Sequence, residues 1–217
     1  MKLACLSFTD KGFELGEKIS KIKSNKYRIE HYTNKDLDEG IKGFLKSEWM
    51  NFDGFIFISA TGIAIRMINN YIKSKDKDPA IIVIDDMGKF SISLLSGHLG
   101  GANEVAQYIG ESIGAIPVVT TASDNRGIES IDIFAKKNNY YIEDIHSLTK
   151  VTSSMVNEKK IGFYTESSEI IKYNNLKILK DLEEIDNNLD GVILVTSKKK
   201  FPEINIPFAL LRPKNIN

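Results

Sequence analysis

Apolar runs rich in isoleucine, valine and phenylalanine alternate with longer amphipathic patterns over the first 140 residues, and this alternation restricts the fold strongly. The runs fall near 2–8, 27–32, 53–59, 80–85, 89–95 and 116–120. Between them, apolar residues recur at three- and four-residue intervals, the spacing of a helix that packs on a sheet. Such alternation is typical of layered α/β domains. We therefore predict an α/β/α domain.

Two of the runs, AIIVIDD and KFSISLL, are separated only by Met87 and Gly88. A connection this short fits a β-hairpin, whose strands are antiparallel. The strand 89–95, the next helix and the strand 116–120 then form a βαβ unit with parallel strands. The sheet is predicted to be mixed but mainly parallel. The loops SGHLGGAN and TTASDNRG should therefore lie at one edge of the sheet, and SATGIAIR at the opposite edge.

The pattern changes near Tyr141, where the polar stretch SLTKVTSSMVNEKK precedes the short apolar runs KIGFYTE, LKILK and GVILVTS. Short apolar runs bounded by polar segments are typical of strands. We interpret residues 1–140 as the first domain and residues 141–217 as a second, smaller α/β unit.

The charge balance limits the partners. The chain has 29 lysine and arginine residues and 29 aspartate and glutamate residues, so no net field draws it to nucleic acid or to an anionic membrane. We expect a small-molecule partner, no nucleic acid and no membrane. No apolar run approaches the ~20 residues that span a bilayer, and no cleavable leader pattern opens the sequence. The expected location is the cytoplasm.

Cysteine and histidine are too few and too scattered to form a metal site. Cys5 lies in the apolar run KLACLSF, where a buried, inert thiol is expected. His31, His98 and His146 show no spacing that a metal ion would require. We therefore predict no protein-bound metal.

The run SISLLSGHLGGAN, residues 91–103, joins a strand to a helix through Gly97, Gly100 and Gly101. Glycine permits positive φ angles and close approach of a ligand to the backbone, and helix N-termini bind phosphate or carboxylate. Packing of the turn is the alternative explanation. Ser96 and His98 accompany the glycines, and a histidine here suits either proton transfer or a hydrogen bond within the turn.

Asn103 and Glu104 open the predicted helix. Each can serve the helix alone, since asparagine caps a helix and an acidic residue in the first turn interacts with the helix dipole. The functional alternative makes Asn103 a ligand contact and Glu104 a catalytic base. Asp85 and Asp86 resemble a catalytic pair of carboxylates, but their position favours a role in stabilising the hairpin turn.

Arginine is scarce, and Arg66 and Arg126 both follow loop motifs. A guanidinium group can hold a carboxylate in bidentate fashion, whereas a surface ion pair is the alternative role. Thr120, Thr121, Ser123 and Asp124 form a polar strand end expected beside the glycine turn. They can supply ligand contacts or cap the following helix.

These segments resemble, in order and spacing, the cobalt-precorrin-5A hydrolases of anaerobic cobalamin biosynthesis, the CbiG family. The resemblance rests on ATGIAIRMI and on the long segment that runs from KDKDPAIIVIDD through SGHLGGANEVA to PVVTTASD. Residues 141–212 resemble the middle region of that family more weakly, and LLRPKN resembles the junction before its C-terminal domain. That domain does not follow in this sequence. We therefore expect it on a separate polypeptide, or this chain to be truncated.

The resemblance implies a tetrapyrrole substrate that itself carries cobalt, so no cofactor is expected on the protein. It implies opening of the ring-A δ-lactone with release of acetaldehyde. The implied partners are this substrate and a separate C-terminal domain, while formation of a homo-oligomer is left open.

For this reaction we predict that His98 or Glu104 activates water and that Ser96 Oγ and the N–H groups of Gly100 and Gly101 stabilise the oxyanion. The predicted substrate contacts are Gly97, Gly100, Gly101, Asn103, Thr61, Gly62, Arg66, Thr120, Thr121, Asp124 and Arg126. A corrinoid-binding, non-catalytic half of a two-chain enzyme is one alternative. A Rossmann-like domain for a nucleotide or sugar phosphate is another, although strand one ends in SFTDKG rather than Gly-x-Gly-x-x-Gly.

Overall fold

A computed structural model describes residues 1–74, 77–121 and 128–214. The chain divides into two compact units, Met1–Thr120 and Thr121–Asn217. The first unit ends earlier than the predicted boundary after residue 140. The difference arises because a helix at 131–137 buries Ile131, Phe134 and Ala135 in the core of the second unit.

The first unit is built on a six-stranded sheet with the order β2-β1-β3-β4-β5-β6. Its strands are β1 Lys2–Ser7, β2 Arg28–Tyr32, β3 Gly54–Ile58, β4 Ala80–Ile84, β5 Phe90–Leu95 and β6 Ile116–Val118. Only the pair β4 and β5 is antiparallel among the described pairs of this sheet. The predicted mixed, mainly parallel sheet is confirmed.

Four helices cover the two faces of this sheet in the described part of the first unit. They are α1 Asp10–Ser20, α2 Gly40–Glu48, α3 Thr61–Ile68 and α4 Ala102–Ile113. Because side chains alternate along a strand, Leu3 and Cys5 of β1 pack with α1 and α4. Ala4 and Leu6 face the other way and pack with α2 and α3. The predicted α/β/α layers are confirmed.

The hairpin between β4 and β5 reverses the chain as expected. Asp85 holds its turn by accepting hydrogen bonds from the Lys89 N–H at 2.8 Å and the Phe90 N–H at 2.7 Å. In the ladder, Ile84 pairs with Ser91 and Ile81 with Leu95. Strand β5 therefore ends at the edge where β4 begins.

The second unit contains a five-stranded sheet with the order β7-β11-β10-β8-β9. Strand β7 is antiparallel to its neighbour and the other pairs are parallel. The strands are β7 Tyr140–Ile142, β8 Ile161–Thr165, β9 Leu176–Leu179, β10 Gly191–Val195 and β11 Phe208–Pro213, and the helices are α5 Ile131–Lys137 and α6 Ile145–Val156. The predicted α/β character is confirmed.

The polar stretch from 147 to 160 is largely helical rather than irregular. Asp144 caps α6 by accepting from the N–H groups of His146 and Ser147 at 3.0 Å. Leu148, Val151 and Met155 recur at helical spacing and are buried, so a narrow apolar stripe was enough to form a helix within a polar sequence.

No helix in the described ranges is long and apolar enough to cross a membrane. Cys5 is fully buried, and this burial raises the pKa of its thiol. The prediction of an inert core cysteine is therefore confirmed.

Candidate functional site

The glycine turn, residues 96–101, connects β5 to α4 and folds its carbonyl groups back onto the helix start. Ser96 O accepts from the Ala102 N–H, Gly97 O from the Asn103 N–H and His98 O from the Gly101 N–H, each at 3.1 Å. The first N–H groups of a helix lack partners within the helix and are the usual donors to a bound anion. Here three such donors are used within the turn itself, including the Gly101 N–H predicted to face an oxyanion.

Steric limits explain the glycines of this turn. A Cβ at Gly97 would lie 2.6 Å from Asn103 Oδ1, and one at Gly100 would lie 2.5 Å from Ser96 Cβ. Gly101 has a φ of 85°, in the left-handed region that glycine adopts readily. The packing alternative therefore accounts for all three glycines.

Ser96 is the unusual residue of the turn. Its φ of 58° lies in the left-handed region, which is unfavourable for a serine. The residue is 9% exposed, and its buried Oγ has no hydrogen-bond partner among the described residues. Strained backbone and an unsatisfied buried hydroxyl both cost stability, and such features cluster at functional sites.

A register shift in the β4 and β5 ladder lies close to Ser96. The shift falls between Ile81 and Ile82, opposite Leu95 and Ser93. Ser93 Oγ donates to Asn103 Oδ1 at 2.7 Å, so the Asn103 side chain ties the end of β5 to the start of α4. Asn103 thus has a demonstrated structural role in the turn.

His98 and Glu104 occupy different environments. His98 is partly buried within the turn. Glu104 is exposed, and its Oε2 forms an ion pair with Lys26 Nζ at 2.5 Å. This hydrogen bond raises the pKa of Lys26. Glu104 is thus an exposed carboxylate that is already engaged by a lysine side chain.

The predicted residues divide between two edges of the first sheet. We call the edge with the glycine turn the turn edge, and Thr120, two residues after β6, lies there because β6 is parallel to β5. Thr121 is the first residue of the second unit. Asp124 and Arg126 lie outside the described residues.

Thr61, Gly62 and Arg66 lie at the opposite edge, where β1, β3 and β4 end, which we call the carboxyl edge. They belong to α3, which follows β3, and β3 is parallel to β4. Arg66 is exposed, and its Nη1 is 3.4 Å from Gly62 O. The structure therefore does not bring these three residues together with the glycine turn.

Comparison with known families decides the relationship that the motifs suggested. Residues 43–124 match the family model described as "Cobalamin synthesis G N-terminal". Residues 129–213 match the model described as "Cobalamin biosynthesis central region". The chain belongs to the CbiG family. The predicted resemblance is confirmed over both regions.

Curated relatives of this CbiG chain carry the name cobalt-precorrin-5A hydrolase. The protein from Salmonella typhimurium is 32% identical over 185 residues, which cover 83% of this chain and 53% of the relative. The protein from Priestia megaterium is 35% identical over 176 residues, covering 76% of this chain and 47% of the relative. The chain thus spans about half the length of these curated relatives.

A solved structure supports the same fold. A crystal structure described as a candidate cobalamin biosynthesis protein G homolog from Sulfolobus solfataricus has a TM-score of 0.56 and 22% identity. The match covers 98% of this chain and 60% of that chain. At this identity the likeness concerns the CbiG fold alone.

This CbiG chain also has a cavity at the carboxyl edge that no sequence motif indicated. The cavity, of about 450 Å³, is lined by Phe8, Asn34, Glu39, Gly40, Ile41, Lys42, Ile63, Arg66 and Met67. These residues come from the segments after β1, β2 and β3. The strand order that gathers them, with β1 between β2 and β3, is not visible in a single sequence.

Proposed function

We propose that this chain forms the N-terminal and central part of a cobalt-precorrin-5A hydrolase. Two curated relatives of that name are 32% and 35% identical to it, and its two family models cover consecutive regions. The proposed reaction adds water to a δ-lactone of a cobalt corrinoid and releases acetaldehyde. The cobalt ion belongs to the substrate.

The observation that supports a reactive site at the glycine turn is Ser96. Its buried Oγ lacks a partner among the described residues, and its backbone is held at a φ of 58° by the closure of the turn. A buried hydroxyl with this geometry is suited to donate a hydrogen bond to a substrate oxygen. We propose that Ser96 Oγ donates to the lactone carbonyl oxygen as negative charge develops there.

We propose His98 as the base that activates water. Lactone hydrolysis requires proton removal from water and proton delivery to the leaving oxygen, and imidazole can do both near neutral pH. Glu104 is less suited because it is exposed and paired with Lys26. Gly97, Gly100 and Asn103 support the turn by packing, and we assign them no direct chemical step.

The remaining part of the longer relatives is proposed as a partner for this chain. Because the chain spans about half their length, the test uses the cobalt corrinoid lactone with this chain alone and with the remaining region of a full-length relative. Mass spectrometry should show a product that has gained one water and lost one acetaldehyde. A corrinoid recovered unchanged in both mixtures would contradict the proposal.

The nucleotide-binding alternative has less support from the geometry. A phosphate site of that kind relies on donors at the helix N-terminus, and the N–H groups of Gly101, Ala102 and Asn103 donate to carbonyl groups of the turn. Optical titration with a dinucleotide and with the corrinoid separates the two ligands. We expect a saturable change with the corrinoid alone.

A further inference from the structure

Three side chains of the first unit form a hydrogen-bonded array at the carboxyl edge. Ser7 Oγ lies 2.8 Å from His31 Nε2, and His31 Nδ1 lies 3.2 Å from Glu17 Oε1. Ser7 is the last residue of β1, His31 is in β2 and Glu17 is in α1. A hydroxyl, an imidazole and a carboxylate in this order match the arrangement of an activated serine nucleophile, which is recognised by geometry rather than by sequence position.

The contacts of Glu17 select the tautomer of His31 that this chemistry needs. Glu17 Oε2 lies 3.0 Å from Lys21 Nζ. The hydrogen bonds from Lys21 and then His31 hold the pKa of Glu17 below its ordinary value. An ionised carboxylate can only accept a hydrogen bond, so His31 Nδ1 carries the proton and donates it in a hydrogen bond to Glu17 Oε1. His31 Nε2 is then left to accept the proton of Ser7 Oγ.

Helix α1 has two glycine residues on the face that packs against the array. A Cβ at Gly16 would overlap His31 Nε2, and one at Gly12 would lie 3.5 Å from Ser7 Cβ. The two glycines are four residues apart and lie on one face of the helix. Glycine is unfavourable inside a helix, and Gly16 leaves room for the imidazole. At Gly12 the distance to Ser7 Cβ is an ordinary contact, and the crowded atom is Thr9 Oγ1 at 3.0 Å.

The strand order places Ser7, the β1 member of this array, next to the position where open α/β sheets bind ligands. From β1 the chain moves outward to β2 and then returns past β1 to β3. Helices α1 and α3 therefore leave β1 and β3 on opposite faces of the sheet, which opens a crevice at the carboxyl ends of the strands. Phe8, the residue after Ser7, lines the cavity at this edge and packs on the face of the sheet that α2 and α3 cover, while Ser7, His31 and Glu17 lie on the face covered by α1 and are not lining residues of the cavity.

We propose that Ser7, His31 and Glu17 form a second reactive centre, an acyl-transfer site for a small carboxylic ester. This centre is separate from the glycine turn, which lies at the other edge of the sheet. Ser7 is 2% exposed, so the ester must be small enough to enter past the first turn of α1, Asp10–Phe13. The inference does not depend on the corrinoid reaction.

The array supplies every proton transfer that the proposed ester hydrolysis requires. Ser7 Oγ adds to the ester carbonyl carbon while its proton passes to His31 Nε2, and Glu17 stabilises the resulting imidazolium. The bond between the former carbonyl carbon and the alkoxy oxygen then breaks, and the alcohol leaves with the proton from His31. Water activated by His31 next attacks the acyl-serine, which releases the carboxylic acid and restores Ser7.

The test uses a fluorophosphonate, which phosphonylates activated serines, with the whole chain and peptide mapping by mass spectrometry. We expect labelling at Ser7, its complete loss in Ser7→Ala and an unchanged labelling rate in Ser59→Ala. Ser59 is a matched control because it is a buried serine one residue beyond β3 at the same edge. Its Oγ donates to Ala60 O.

Two further variants separate activation from folding. His31→Gln should lower the labelling rate roughly 10²- to 10⁴-fold, and circular dichroism reports whether it folds. Glu17→Gln changes a half-exposed side chain, should retain the fold, and should lower the rate about tenfold by weakening control of the tautomer. An unlabelled Ser7 in the unaltered chain, or a folded Glu17→Gln and His31→Gln that label at the parent rate, would overturn the proposal.

Discussion

The carbonyl oxygen of Ser96 accepts a hydrogen bond from the Ala102 N–H at 3.1 Å, so the glycine turn closes on the first residue of α4. This closure holds Ser96 at a φ of 58°. It also uses the N–H groups of Gly101, Ala102 and Asn103 as donors to carbonyl groups of the turn. These three N–H groups are therefore already engaged and do not face an anion.

Replacing Ser96 with glycine should stabilise the chain while reducing activity. The change relieves the left-handed strain and removes the unsatisfied buried hydroxyl, and we expect a gain of about 1 kcal/mol in the free energy of unfolding. Urea denaturation measures the gain, and acetaldehyde release measures the loss. A variant that is less stable than the parent would show that Ser96 Oγ has a partner in solution.

Replacing Gly100 with alanine should destabilise the chain. The new Cβ would lie 2.5 Å from Ser96 Cβ and 2.8 Å from Ser96 O, and we expect a loss of about 1–3 kcal/mol. Gly62→Ala is the matched control, since the nearest atom to its Cβ is the end of Arg66 at 3.4 Å. Thermal unfolding of the two variants makes the comparison, and equal melting temperatures would contradict the packing role of Gly100.

The strands, the hairpin and the opposed loops followed from the sequence because hydrophobic periodicity and a two-residue connection are local signals. The hydrogen bonds within the glycine turn could not be predicted from the sequence. Whether the N–H groups of Gly101 and Ala102 face a ligand or a turn carbonyl depends on the closure of a few dihedral angles, which the residue types leave open. The same holds for Asn103, which bonds Ser93 ten residues away.

The hairpin predicted the separation of the two edges, but not which side chains meet at the carboxyl edge. Arg66 follows a loop motif like that of the glycine turn, yet the antiparallel hairpin sends it to the opposite edge. The array of Ser7, His31 and Glu17 unites residues from two strands and a helix, whose contacts require the strand order β2-β1-β3. No spacing along the chain signals this array, whereas the two-residue hairpin connection did predict the separation of the edges.

Replacing Arg66 with glutamine should leave corrinoid affinity unchanged within about twofold. Arg66 lies at the carboxyl edge, and the five residues of β4 separate the two edges by roughly 17 Å. Optical titration with the corrinoid gives the dissociation constants of parent and variant. A tenfold weaker complex would mean that the substrate reaches the carboxyl edge.

Replacing Glu104 with glutamine should change the free energy of unfolding by less than about 0.5 kcal/mol, because exposed ion pairs contribute little. The variant should also return the pKa of Lys26 towards its ordinary value, since Glu104 raises it. The ion pair stabilises the chain below that ordinary value and is lost as the pH rises through the raised pKa. Urea denaturation at neutral and at strongly alkaline pH tests this dependence, and a large loss of stability at neutral pH would contradict it.

Replacing Glu166 with glutamine should weaken the second unit at neutral pH. Burial opposes ionisation of Glu166, but hydrogen bonds from the Ser197 N–H, Thr196 Oγ1 and Ser197 Oγ outweigh it and hold the pKa below the ordinary value. The stability is present above the ordinary value of 4.5 and is lost as the pH falls through the lowered pKa.

We expect Glu166→Gln to cost about 1 kcal/mol or less at neutral pH, because the side chain is exposed to solvent screening. The cost should shrink on acidification. Glu203→Gln, at an exposed position, is the control. Melting curves of the three chains at neutral and acidic pH make the comparison, and a cost that grows on acidification would contradict the assignment.

The most direct test of the proposed role of His98 is the rate of acetaldehyde release from the cobalt corrinoid lactone by the parent chain and by His98→Ala, each supplied with the remaining region of a full-length relative. Circular dichroism and optical titration first establish that the variant folds and binds the corrinoid. We predict a rate roughly 10²- to 10⁴-fold lower in His98→Ala, the size of a general acid-base contribution. A folded variant that binds the corrinoid and releases acetaldehyde at the parent rate would contradict the account.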